Sequence, residues 1–186
     1  RAPQQGEIDA VVQELCQGDA TLVHNVDRVH CGEPLPSRDE VIRIVELLRQ
    51  VLFPGYFGSS EVRPETLAYH LGSKLDEVQR SLRLQILRGL AFACQKAQCA
   101  SECQAEANLI TQTFIKRLPR IQRLVASDVQ AAYEGDPAAR SPDEAIFCYP
   151  GVLAVTNYRI AHELYGFDVP LLPRMITEHA HSITGI

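Results

Sequence analysis

Long apolar runs are missing from this 186-residue chain. None approaches the roughly 20 residues needed to span a bilayer, which argues against a membrane-spanning helix. Basic residues are the minority charge: 18 Lys and Arg stand against 23 Asp and Glu, a net charge of -5. That balance argues against nucleic acid or another polyanion as partner. The six cysteines are too few, and too unevenly spaced, for the disulfide framework of a small secreted domain. They are expected to be reduced thiols of a cytoplasmic protein. No stretch alternates as a half-buried strand does, and internal repeats and low-complexity segments are absent. What is present, 46% apolar and 22% charged residues, suits a globular chain with a real core.

The apolar residues recur at helical spacing, which predicts an all-α chain. Residues 1–36 form an N-terminal arm. Within it Ile8, Val11, Val12 and Leu15 predict one short helix, and Gly18, Gly32, Pro34 and Pro36 a loop. Residues 37–186 form the helical domain. Ser37-Arg38-Asp39-Glu40 has the pattern of a capping box, followed by a stripe of Val41, Ile44, Val45, Leu48 and Leu52. Pro54-Gly55 ends that helix, and Tyr56 and Phe57 in the next loop are expected to close over the core. Pro64 predicts a short helix to about Leu71, stopped by Gly72 and followed by a second helix from Ser73. Leu75, Val78, Leu82, Ile86 and Leu90, widened by Leu84, Leu87 and Ala91, make that helix apolar on more than one side. Ser101 with Gln104 predicts a new helix start, and Pro119 another, as the first residue of a helix whose apolar face is Ile121, Leu124, Val125, Val129 and Ala132.

Two clusters of metal-binding residue types occur. Cys94, Cys99 and Cys103 converge only if the helix breaks between them. No CxxC pair exists, so buried small apolar side chains are the better expectation than a metal or redox site. Cys103, near a helix N-terminus, is expected to have a lowered pKa. His179 and His181 are two apart on a helix and point to different faces, and His162 and Glu163, as neighbours, do not face each other either. No metal site is expected.

The densest signal lies at Tyr133-Glu134-Gly135-Asp136-Pro137-Ala138. Gly135 is expected to close a helix in the left-handed conformation, and Pro137 to push Asp136 into an extended one. Asp136 is then a carboxylate on a fixed turn, either a helix cap or a group facing a substrate. Asp128 lies beside the apolar face of its helix and is expected to accept a bond from a neighbouring helix. Ser141-Pro142-Asp143-Glu144 starts the next helix, Gly166 closes the one after it, and Pro170 and Pro173 fix the start of the last.

Three phrases in this region, DVQAAYEGDPA from Asp128, YPGVLAVTNYRIAHELY from Tyr149 and PRMITEHAHSITGI from Pro173, resemble serine O-acetyltransferase, the enzyme that acetylates L-serine in cysteine biosynthesis. They cover about a third of the chain. Residues 37–118 resemble more loosely the long N-terminal helical region of the bacterial form. The resemblance implies a homo-oligomer assembled through the helices. It implies acetyl-CoA and L-serine as substrates, with no cofactor, and L-cysteine as inhibitor. It assigns Asp136 to binding the ammonium and hydroxyl of serine. It places the catalytic base and the acetyl-CoA site in a left-handed β-helix that would follow Ile186. No catalytic residue is therefore expected in this chain, and the chain alone is expected to be inactive. O-acetylserine sulfhydrylase would be met through a C-terminus beyond these residues, and Gly185-Ile186 is expected to be a truncation point. Two other readings stay open: a free-standing helical oligomerisation module, and a thiol-based sensor.

Overall fold

The computed structural model describes residues 5–17, 33–58, 61–94 and 100–186. The described residues form α1 (Gln5–Cys16), α2 (Arg38–Leu52), α3 (Leu67–Ala93), α4 (Ala100–Gly135), α5 (Pro142–Cys148), α6 (Pro150–Tyr165) and α7 (Leu172–Thr184). They contain no β-sheet, in accord with the all-α expectation. No described helix is long and apolar enough to cross a membrane. In α1 Ile8, Val11, Val12 and Leu15 are all exposed.

The core lies where α2, α3, α4, α6 and α7 meet. Leu48, Leu82, Ile86, Phe114, Ile121, Ile160, Leu164 and Leu172 are fully buried there. The α2 cap ties two elements together. Ser37 Oγ accepts from the Glu40 N–H at 3.3 Å, as the motif predicts, while the Ser37 N–H donates to Oε1 of buried Gln85 on α3 at 2.8 Å. That bond gives a buried amide its partner. Phe53, Tyr56, Phe57 and Phe147 form an aromatic cluster of edge-on and tilted pairs, with Tyr56 and Phe57 packed against the core.

Two local stop signals are overridden. Helix α3 runs through Gly72 without a break. Helix α4 runs 36 residues with Pro119 inside it. Pro119 removes one backbone hydrogen bond, but Phe114, Leu118, Ile121 and Val125 on either side all face one core. Continuous burial of that stripe outweighs the local cost. The predicted break near Ser101 is real in kind, since α3 ends at Ala93 and α4 begins at Ala100. Gly135 is the last residue of α4 and is not left-handed. The helix tightens instead through a bond from the Asp136 N–H to Tyr133 O at 3.4 Å. Gly166 does close α6, in a right-handed conformation, and Pro173 starts α7.

Helices α4 and α6 run antiparallel, tied at three levels. Arg117 and Arg120 meet Glu163, Asp128 meets Arg159, and Asp136 meets Tyr149. Gly89 on α3 lets the loop between α6 and α7 approach closely. A Cβ there would lie 2.9 Å from the Pro170 carbonyl oxygen and 3.2 Å from Leu172 Cδ1. Leu171 beside that carbonyl already holds a left-handed φ of 65°, so the loop has little room to yield.

These two glycines of one helix predict opposite responses. Nothing lies within 4 Å of a Cβ placed on Gly72. Gly72→Ala is expected to stabilise the chain by up to about 1 kcal/mol through helix propensity. Gly89→Ala gains the same propensity but overpacks a site where about 1–3 kcal/mol is lost, and is expected to destabilise. Urea unfolding of both variants checks this; a stabilising Gly89→Ala would contradict the packing described.

Candidate functional site

The turn after α4 is built by its own side chain. The Ala139 N–H donates to Asp136 O at 3.0 Å, closing a β-turn with Pro137 in its second position. The Ala138 N–H donates to Asp136 Oδ1 at 2.9 Å. Asp136 thus holds both ends of the turn that presents it. Helix α5 then reverses the chain. Its start follows the predicted pattern: Ser141 Oγ accepts from the Glu144 N–H at 3.3 Å, with Pro142 in the first turn. The Glu144 carboxylate reaches one residue further back than a capping box requires, to the Arg140 N–H at 2.9 Å. This pins the segment leading out of the turn.

Seven residues of α5 bring Tyr149 back over Asp136. The Tyr149 hydroxyl donates to Asp136 Oδ2 at 2.5 Å. Each carboxylate oxygen therefore has one donor, and the carboxylate keeps about two acceptor positions free. The tyrosine bond, then the Ala138 N–H, hold the Asp136 carboxyl below its usual range. The same bond pushes the Tyr149 hydroxyl up to about 12, with its own desolvation adding to the rise. A half-buried carboxylate with a lowered pKa is a poor proton acceptor. It is suited to a donor that carries positive charge, or to a hydroxyl. Asp136 is fixed in shape, charged at neutral pH and incompletely satisfied.

The other polar residues pair with one another across and along the helices. Asp128 accepts from Arg159 Nε and Nη2, both at 2.8 Å, which is the interhelical bond expected of it. Glu163 is buried and accepts from Arg117 at 2.8 Å and, more distantly, Arg120 at 3.4 Å. His162 is not aligned with Glu163; it stacks on Tyr158 with ring centroids 5.6 Å apart. His181 Nδ1 lies 3.2 Å from Ile186 O, the left-handed Gly185 capping α7 between them. Among the described residues no three His, Cys, Asp or Glu are grouped to hold a metal.

Cys94 ends α3, and Cys103 is buried in the first turn of α4 beside it; Cys99 lies outside the described residues. The expected lowering of the Cys103 pKa is overturned. Burial pushes that thiol up, and the neighbouring Cys94 adds to the rise. Desolvation of the thiolate outweighs the helix N-terminus. The residue that sequence reasoning missed is Tyr149. It stands 13 positions from Asp136, a separation no spacing rule flags, although YPG opens one of the three resembling phrases.

Tyr149→Phe removes the larger cause of the Asp136 shift and is expected to raise the Asp136 pKa toward its ordinary value. The sign follows from the native depression. The stabilising effect of the ionised group is present above the unfolded-state pKa and is lost as pH falls through the lower folded value. Carbon-13 NMR titration of the Asp136 carboxyl in both proteins is the check; an unchanged midpoint would show that the tyrosine does not set it.

No protein-family model matches the chain. The plasmid serine acetyltransferase of Synechococcus elongatus is 42% identical over 186 aligned residues, which cover 96% of this chain and 57% of that protein. The serine acetyltransferase of Mycobacterium tuberculosis is 48% identical over 59 residues, 32% of this chain and 26% of that protein. Among solved structures, serine acetyltransferase 1 of Entamoeba histolytica in complex with L-cysteine aligns with a TM-score of 0.62 at 28% identity. That alignment covers 83% of this chain and 50% of the Entamoeba protein. Isoform 3 from the same organism, also in complex with cysteine, aligns with a TM-score of 0.61 at 27% identity. The chain spans about half the length of these longer relatives. In sequence and in fold the chain is similar to the serine acetyltransferases.

Proposed function

We propose that this chain is the helical, amino-acid-binding portion of a serine O-acetyltransferase, and that Asp136 binds the substrate serine. The observation that carries the reading is the carboxylate itself: two bonds fix it, its pKa is lowered, and its outer acceptor positions are free. The ammonium of an amino acid satisfies one such position through a charge-assisted bond. The side-chain hydroxyl satisfies another. The two Entamoeba proteins were each solved with cysteine. Cysteine differs from serine by sulfur in place of oxygen, so one carboxylate serves both, as substrate site and as inhibitor site.

The reaction moves an acetyl group. The serine oxygen attacks the thioester carbonyl of acetyl-CoA, the C–S bond breaks, and the proton leaves oxygen and ends on the CoA thiol. Asp136 orients the nucleophile for this step. Its lowered pKa makes it a poor base. The base, the oxyanion donors and the acetyl-CoA pocket belong, in this reading, to the part of the longer relatives that these residues do not span.

Asp136→Ala, in a chain extended to the length of the relatives, is expected to raise the Michaelis constant for serine far more than that for acetyl-CoA. Asp136→Asn keeps the shape, loses the charge and is expected to do less harm. The 186 residues alone are expected to release no CoA thiol above background, since orientation supplies only part of the barrier reduction. An unchanged serine constant in the Ala variant would leave Asp136 a turn residue, and robust turnover by the shorter chain would place a base among these helices.

We also propose that the chain self-associates through its helices. The support is the exposed apolar face of α1, with Leu15 68% and Val11 54% accessible. Multi-angle light scattering is expected to give an oligomer whose mass falls when Val11 and Leu15 are both replaced by Ser; a monomer at high micromolar concentration would contradict it.

A further inference from the structure

Helices α4 and α6 border an open cavity of about 260 Å3 whose polar lining is Arg117 and Arg120 from α4 and Tyr158, Arg159, His162 and Glu163 from α6. Three guanidinium groups border it. Two carboxylates answer them: Glu163 in the lining, and Asp128, which holds Arg159. One positive charge is left over.

The donors are also incompletely used. Arg159 spends Nε and Nη2 on Asp128 and keeps Nη1. Arg120 is the least committed, 3.4 Å from Glu163 and 64% exposed. Arg117 is held more firmly, by its 2.8 Å bond to Glu163 and by stacking 4.5 Å over the Phe167 ring. The stacked Tyr158 and His162 rings form a wall that adds a hydroxyl and a ring nitrogen. These groups approach from two helices rather than in one plane. A planar carboxylate is matched by a single guanidinium fork, whereas donors converging from several directions suit a tetrahedral group.

We propose that this cavity binds a phosphate-type oxyanion, either the free ion or the phosphate end of a small metabolite. It is a site separate from the Asp136 turn, and its test does not depend on the serine reading. Glu163 acts as the buried counter-charge that keeps Arg117 in place, while Arg120 and the free edge of Arg159 close on the ligand. The site takes a small anion only, in keeping with the net charge of -5.

Isothermal titration of the chain with inorganic phosphate and with glycerol phosphate, each against chloride at matched ionic strength, is the test. Saturable one-to-one binding of either is expected, and tighter binding of the ester would mark a metabolite site. Arg120→Gln leaves the firm Arg117–Glu163 bond intact and is expected to weaken binding about tenfold, the effect of one charge-assisted hydrogen bond. Arg80→Gln removes an equally charged, 71% exposed arginine on α3 and is expected to change nothing. Helical circular dichroism confirms that both variants fold. Absence of saturable binding beyond chloride, or equal losses in the two variants, would overturn the proposal.

Discussion

The antiparallel crossing of α4 and α6 is the constraint on which the rest depends. Its three polar ties span 19 residues of α4, roughly 28 Å at a helical rise. The lowest tie holds the most buried carboxylate, with the Glu163 side chain only 8% accessible. Such a carboxylate is tolerable only while a guanidinium faces it. Loss of Arg117 would leave that charge with only the more distant Arg120 to face it. The middle tie, Arg159 on Asp128, is bidentate and so fixes orientation as well as distance. The uppermost is the Tyr149 hydroxyl on Asp136.

Together these ties explain why a carboxylate at the end of a long helix is fixed rather than mobile. Burial of Phe114, Ile121 and Val125 sets where α4 lies, and Ile160 and Leu164 set α6 against it. The register between them is then specified by charge pairs, which tolerate little sliding. Tyr149, at the start of α6, reaches Asp136 because the residues below it are already locked. The site is therefore a consequence of the crossing. Substitutions at Asp128 or Arg159 would disturb the Asp136 turn without touching it.

Much of this was legible in the sequence, and the reasons for the remainder are physical. The Ser37 and Ser141 caps, the Pro173 start and most of the apolar stripes of α2 to α4 depend on residues close in the chain and follow from them, although Leu109, which continues the helical period of α4, is exposed. Gly72, Pro119 and Gly135 were misread because each is a local signal, and burial or turn geometry contributed by distant residues decided the outcome. Asp136 stood out because Gly135 and Pro137 flank it. Its partner Tyr149 did not, because their contact depends on α5 reversing the chain. The Glu163 pairs with Arg117 and Arg120 join residues more than 40 positions apart, and no periodicity announces them. Cys103 shows the same limit: its helix position argued for a reactive thiol, and its burial argues otherwise.

The central claim is that Asp136 is a substrate carboxylate held in place by Ala138 and Tyr149. A crystal structure of the chain extended to the length of its relatives, with L-serine bound, tests it most directly. The account predicts an Asp136 oxygen about 3 Å from the serine ammonium or hydroxyl, with the Tyr149 hydroxyl still on Oδ2. Serine bound beyond hydrogen-bond reach of Asp136, with the turn unchanged, would contradict it.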